Sequence, residues 1–239
     1  MNHRALSQEE FAVLADGDRT FERVLFSSAL EFNAIDLSEA TFTDCRFEPL
    51  RLAGAKFSRA RFTGCSWFDA DKKKGSTFAF CDLHAVEIAK CNLATSTFER
   101  CDLYNLNAVD SSFRGVQFNQ STFSRAISKR STLTKASFEA CNISFADLSG
   151  LFLQNCEFRS CKFSETSFID TDLTAAVLIG CDLDRVDWER AKLANADLRG
   201  SSLSGLNLAV LTDYAGLKIS DSEQTEILGR LGVEVHPSG

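Results

Sequence analysis

Counting from Phe32, every fifth residue is large and apolar: Phe32, Leu37, Phe42, Phe47, Leu52, Phe57, Phe62 and Trp67. A second run in the same step starts at Phe78 and reaches Leu208, and only Ala108 and Ser128 lack a large apolar side chain in it. Neither regular element has this period. A helix buries residues about 3.6 apart and a strand residues two apart. A step of five requires a short inward segment, then a turn, over and over. A single such unit buries nothing, so the large residues must be covered by the units above and below, as in a solenoid.

The residue two before each centre is small, as at Ala40, Cys45, Ala55, Ala60, Cys65, Ser76, Cys81, Val86 and Cys91, and the remaining places are mostly polar. All nine cysteines occupy the small place. They read as small buried hydrophobes interchangeable with Ala and Ser. The close Cys and His spacing of a metal site is missing, so neither metal nor cofactor is expected.

Segments such as Cys81-Asp82-Leu83, Cys101-Asp102-Leu103, Ala146-Asp147-Leu148, Cys181-Asp182-Leu183 and Ala196-Asp197-Leu198 resemble the pentapeptide-repeat motif. The resemblance spans about residues 21–208. It implies an all-β fold, a right-handed quadrilateral parallel β-helix with four pentads per coil, followed by a short C-terminal α-helix. On that count Cys81, Cys101, Cys141, Cys161 and Cys181 stack in one column, and Phe78, Phe98, Phe118, Phe138 and Phe158 in another. A thin or bulged wall is expected around Ala108 and 124–130. The register otherwise runs unbroken from 78 to 208, so no second inserted loop is expected.

The chain divides into an N-terminal cap (1–20), the repeat region (21–208) and a C-terminal helix and dimerisation segment (209–239). Ser7 and Glu10 form a capping-box pattern, as do Ser220 and Glu223. The run between Trp67 and Phe78 breaks the register, and its polar residues mark a projecting loop, 68–77. A smaller slip lies between Phe26 and Phe32.

The segments Asp187–Leu193, Tyr214–Ile219 and Glu226–Val233, and the stretch from Cys65 to Phe78, are similar to Qnr proteins within the Qnr, MfpA, AlbG and McbG group. The resemblance implies a homodimer joined through Tyr214, Leu217, Ile227, Leu228, Leu231, Val233 and Val235. It implies binding to bacterial DNA gyrase or topoisomerase IV and protection from a quinolone, albicidin or a gyrase-targeting peptide, in resistance or self-immunity. Asp69, Asp71, Lys72, Lys73, Lys74 and Gly75 would form the contact loop. The rod would mimic DNA through Asp147, Asp170, Asp172, Asp182, Asp184, Asp187 and Glu189. A scaffold or secreted effector with an unrelated partner is the alternative.

The formal charge of −7 is unevenly spread: residues 41–140 carry +5, and the acidic excess lies on both sides of them. The overall charge argues against direct nucleic-acid binding. Three scattered His and the lack of phosphate-loop, nucleophile-elbow or zinc-helix motifs argue against an enzyme. No apolar run is long enough to span a membrane and the N-terminus has no signal-like core, so a cytoplasmic location is expected.

Overall fold

The computed structural model describes residues 3–128 and 131–236; residues 1–2, 129–130 and 237–239, including Lys129 and Arg130 of the expected bulge, lie outside the described residues. The chain winds into a right-handed quadrilateral parallel β-helix of about nine coils. Short helices, Gln8–Asp16 and Gln224–Arg230, stand at its two ends.

Each pentad supplies one wall segment and one corner. The centre points inward, and Phe42, Leu52, Leu103, Phe163, Leu183 and Leu198 are wholly buried. Each such side chain stabilises the fold by about 1.5–3 kcal/mol. The residue before the centre often accepts a hydrogen bond on its side-chain oxygen from the N–H two residues on, as Asp82 does from His84 and Asp102 from Tyr104 (3.0 and 2.9 Å). That bond closes the turn. The residue two after the centre takes the left-handed conformation, for example Lys90, Thr95 and Arg100 (φ 55, 54 and 53°).

Four columns of centres form the walls. Face one carries Leu52, Phe78, Phe98 and Phe118, then Leu148, Phe168 and Trp188. Face two carries Phe57, Leu83, Leu103 and Phe123, then Leu153, Leu173 and Leu193. Face three carries Phe21, Phe42, Phe62, Ile88, Ala108, Phe138, Phe158 and Leu178. Face four carries Phe47, Trp67, Leu93, Phe113, Ile143, Phe163 and Leu183. Stacked rings line these columns: Phe42–Phe62 at 4.5 Å, Phe47–Trp67 at 4.4 Å, Phe78–Phe98 at 4.8 Å and Phe168–Trp188 at 5.2 Å. Such pairs add about 0.5–1.5 kcal/mol each beyond their buried area.

The sequence step between neighbouring rungs is not constant. It is 20 for Phe78–Phe98, 21 for Phe21–Phe42, 26 for Phe62–Ile88 and 30 for Ala108–Phe138. The 21 reflects the slip after Phe26, and the 26 reflects a six-residue insertion after Trp67. The 30 corrects the unbroken register. The step gains ten because the chain leaves the wall as an antiparallel hairpin, Ser124–Ser128 with Ser131–Thr134. Ten is two whole pentads, so the phase survives while the coil count changes.

The columns expected from the sequence change accordingly. Cys81 and Cys101 share face two with Ser121, whereas Cys141, Cys161 and Cys181 continue the column of Cys45, Cys65, Cys91 and Ser111 on face four. The ring column likewise divides: Phe118 is followed by Leu148, while Phe138 and Phe158 stack beside Ala108. Every cysteine is buried and free, and the column makes thiol-to-backbone contacts, such as Cys91 Sγ to Phe62 O at 3.4 Å. A neighbouring buried thiol pushes the Cys65 and Cys161 thiols up, and burial pushes Cys156 up to about 12.

Ser7 caps the N-terminal helix through a complete capping box with Glu10, and Phe11 plugs the first coil against Phe21, Phe26 and Phe32. At the other end the bridges run on to Asp213 and Lys218 after a one-residue shift. Ser220 departs from its capping-box pattern. Its Oγ accepts from Gly200 N–H at 2.7 Å and makes no cap bond, and the helix starts at Gln224.

Candidate interaction surface

Two segments project from the rod. The first rises between faces four and one. Asp69 and Lys74 close it with a pair of backbone bonds at 2.9 and 3.2 Å. The Asp69 carboxylate is turned inward, accepting from the N–H groups of Asp71 and Lys72, both at 3.0 Å. Those donors hold its carboxyl below the usual carboxylate range. Gly75 is also buried. A Cβ there would lie 2.5 Å from Ala94 O and 2.6 Å from Ser96 N. The loop's outer surface is therefore Asp71, Lys72, Lys73 and Lys74, all exposed, while Asp69 and Gly75 hold its base.

The hairpin Ser124–Thr134 rises between faces two and three, at the opposite corner. Ser124 and Thr134 share a hydrogen bond at 2.8 Å at its base. Arg125 reaches His84 Nε2 at 3.2 Å, and the His84 ring stacks on Tyr104 at 5.7 Å. These contacts brace the hairpin along the rod. Ile127 and Leu133 stand outside the core, 58% and 48% exposed. The sequence held one signal for this segment: Ser128 is the polar centre of a pentad whose neighbours are basic and β-forming.

The acidic residues of the C-terminal half are spread over several walls. Asp147 and Asp187 lie on face one, Asp172 on face two and Asp182 on face four. Asp147, Asp182 and Asp187 accept N–H bonds from residues two further on, at 3.0–3.1 Å, which is their role in the turn. Asp170 is clamped by Arg190 (2.7 Å), whose guanidinium also pairs with Glu189 and draws the Asp170 carboxyl below its usual range. Asp172 faces Lys192 at 3.9 Å. Among the described residues Asp147, Asp182, Asp184 and Asp187 have no cationic partner within 4.0 Å.

The C-terminal end presents the third surface. Ile227 is buried against the last coils, and Leu217 and Leu228 are half-buried. Tyr214, Leu231, Val233 and Val235 are exposed, together with Val210. Apolar side chains of the last coil and of the segment after the short helix are thus left exposed.

Among the described residues no group of His, Cys, Asp and Glu could hold a metal ion, and no helix is long and apolar enough to cross a membrane.

The pentapeptide-repeat family model matches residues 31–66, 141–178 and 171–208 in eight copies. The chain is 24% identical over 126 residues to the quinolone resistance pentapeptide repeat protein QnrB96 of Scandinavium goeteborgense, and 25% identical over 126 residues to the pentapeptide repeat protein QnrB4 of Escherichia coli. Each alignment spans 53% of this chain and 56% of the relative. Full-length QnrB1, a plasmid-mediated fluoroquinolone resistance protein, superposes with a TM-score of 0.79 at 20% identity, over 90% of this chain and all of the other. HetL, a pentapeptide repeat protein involved in heterocyst differentiation regulation in Nostoc, superposes with a TM-score of 0.61 at 19% identity, over 90% and 95% of the two chains. These superpositions establish the fold, which hosts different roles.

Proposed function

We propose that this pentapeptide-repeat protein, a homologue of the Qnr proteins, binds a bacterial type II topoisomerase in the cytoplasm and protects it from a quinolone or a similar poison. The observation that carries this reading is the pair of projecting segments on a rod of the QnrB1 shape. A rigid solenoid fixes the spacing of Lys72–Lys74 and of the hairpin carrying Arg125, Ile127 and Leu133. A partner must therefore offer two matching sites along a common groove. Loops held on a rigid scaffold are the usual carriers of recognition.

The rod occupies the place of duplex DNA on the enzyme. Asp147, Asp182, Asp184 and Asp187, which lack ion pairs among the described residues, supply the negative charge that a phosphate-binding groove attracts. Asp170 and Glu189 contribute less, because Arg190 neutralises them. A second copy covers Tyr214, Leu231, Val233 and Val235, joining two acidic halves at the centre of a longer rod. The repeat and Qnr-like family is a scaffold family, and this chain acts here by binding alone.

The test is direct. Purified protein on a biosensor surface should bind DNA gyrase, and linear duplex DNA should compete. Undetectable gyrase binding at micromolar concentration would reject the reading. Binding that DNA does not displace would reject the mimicry while leaving the partner in place.

A further inference from the structure

One step of the solenoid is joined on three walls only. Between the coil of Ala108–Phe123 and the coil of Phe138–Leu153, face one is bridged at Gln117 and Asp147, face three at Ala108 and Phe138, and face four at Ser112 and Asn142. Face two is bridged at its other steps from Lys56 to Asp213, but among the described residues no bridge joins Thr122 to Phe152. The gap extends round the corner between faces one and two. There Gln120 N–H makes no backbone bond to the next coil among the described residues, whereas Arg100 N–H reaches Asn119 O at 2.8 Å one coil earlier. The diagonally opposite corner is intact, with Asp110 N–H donating to Glu139 O at 3.0 Å. The hairpin is the cause. In other pentads the carbonyl of the centre closes its own corner, as Leu103 O does by accepting from Leu106 N–H at 3.1 Å. Phe123 O accepts instead from Lys135 N–H, across the base of the hairpin, at 3.1 Å.

The core is interrupted at the same step. Stacked rings run through Phe78, Phe98 and Phe118 below it and through Phe138 and Phe158 above it. The ring contacts that cross it, Phe113–Phe138 and Phe123–Phe138, are edge-on at 5.5 and 6.5 Å. A cavity of about 10 Å³ lies between the two coils, lined only by apolar side chains that include Phe118, Phe123, Leu148 and Leu153. Well-packed interiors hold few such voids. Phe118 also lines a surface groove with Arg100, Gln120 and Ser149, so one ring separates that groove from the cavity.

In a solenoid each coil is held only by its neighbours, so a step with fewer bonds and looser packing is where the rod yields first. We propose that this step is a hinge built into the rod. Residues 21–123 and 138–219 are its two stiff units, and the mouth at the corner of faces one and two opens and closes about the paired backbone at the corner of faces three and four. The loop 68–77 belongs to the first unit, and Arg125 holds the hairpin to that unit through His84. The spacing of the two projecting segments is therefore kept while the second unit, with Asp182, Asp184 and Asp187, swings. The tie from the hairpin to the second unit is longer: the Thr134 hydroxyl donates to Gln154 Oε1 at 3.3 Å. A partner that grips both units selects one angle between them. This inference stands apart from the topoisomerase reading and does not need it.

The test is hydrogen exchange on the whole protein, joined to distances between spin labels. Asp147 N–H bonds Val116 O across the hinge step, and Ser167 N–H bonds Ala146 O across the next, both at 3.0 Å. Corrected for intrinsic rates, the Asp147 amide should exchange at least about tenfold faster than that of Ser167. On face four, Asn142 and Lys162 make the matching bonds across the same two steps, both at 2.9 Å, and should exchange alike. The native cysteines are all buried, so added surface thiols take the labels. Lys56→Cys with Lys192→Cys spans the step on face two, and Arg46→Cys with Lys162→Cys spans it on face four. The first pair should give a distance distribution about twice as broad as the second. Three results would overturn the proposal. One is an Asp147 amide as slow as that of Ser167. Another is an Asn142 amide accelerated as much as that of Asp147, which is fraying of the whole step rather than a hinge. The third is equal breadth in the two label pairs.

Discussion

Ala108 pairs with Phe138, thirty residues further along the chain, while Ile88 pairs with Ala108 at a step of twenty. The step is longer by ten where the hairpin leaves the wall, and because ten is twice the period, Phe123 and Phe138 would be consecutive pentad centres without it. Excising Ser124–Leu133 should therefore leave a folded rod. It should let Gln120, Phe123 and Phe152, whose N–H groups make no backbone bond to the neighbouring coil among the described residues, pair as Arg100, Leu103 and Thr122 do, and raise stability by about 1–3 kcal/mol, at about 1 kcal/mol per bond. Excising nine residues, 124–132, shifts every later centre by one place and should unfold the C-terminal half. Thermal melts of the two variants separate these outcomes.

The base of the first loop makes a second prediction. A methyl group at Gly75 meets the backbone of Ala94 and Ser96 at 2.5 and 2.6 Å, distances no Cβ tolerates. Gly75→Ala should destabilise the protein by about 1–3 kcal/mol through overpacking. By contrast, excision of the six residues 70–75 returns Trp67 and Phe78 to a step of five and should preserve the melt. Denaturant titration of both variants checks this.

Corner residues give a prediction in the opposite direction. Thr95 is exposed, β-branched and left-handed, with φ 54°. That conformation costs an L residue about 1–2 kcal/mol. Thr95→Asn, which tolerates it, should stabilise the rod by about 0.5–1 kcal/mol. A lower midpoint in urea would contradict the assignment of strain to this corner.

The Asp69 carboxyl sits below its usual range in the folded protein because the N–H of Lys72 and that of Asp71 donate to it. Its folded value is thus below the unfolded one. The stabilisation is complete above the ordinary value near ~3.9 and is lost as pH falls through the depressed value. Amide exchange at Asp71 and Lys72 should accelerate in that acid window. Asp69→Asn keeps an acceptor oxygen and should abolish the acid dependence while retaining most of the loop's order.

The repeat was readable because one residue in five carries the whole burial pattern, and Ser7 and Glu10 announced the capping box of the N-terminal helix. The hairpin was not readable by phase, since an insertion of two periods leaves the pattern at 138–208 in step. Only the weak centre Ser128 betrayed it. The cysteine columns failed for the same reason: the ten inserted residues move Cys141, Cys161 and Cys181 by half a coil. Asp82, Asp102, Asp147 and Asp187 show why a charge tally overstates an acidic face. Their first task is to close turns, and the walls they occupy differ. Lys72–Lys74 are exposed, whereas the inward turn of Asp69 depends on backbone donors that composition does not reveal.

The apolar C-terminal end predicts an assembly. Truncation after Ile219 removes the helix together with Leu231, Val233 and Val235 and should convert a dimer into a monomer in light scattering. An unchanged mass would remove this end as the interface.

Two segments projecting from one rigid rod are proposed here to protect a topoisomerase. The most direct measurement is DNA gyrase supercoiling in the presence of a quinolone, with the whole protein and with the excision variants that keep the rod. The whole protein should restore supercoiling, and excision of 70–75 or 124–133 should abolish the rescue while the rod stays folded. Supercoiling that remains inhibited at every protein concentration, or rescue undiminished by both excisions, would contradict it.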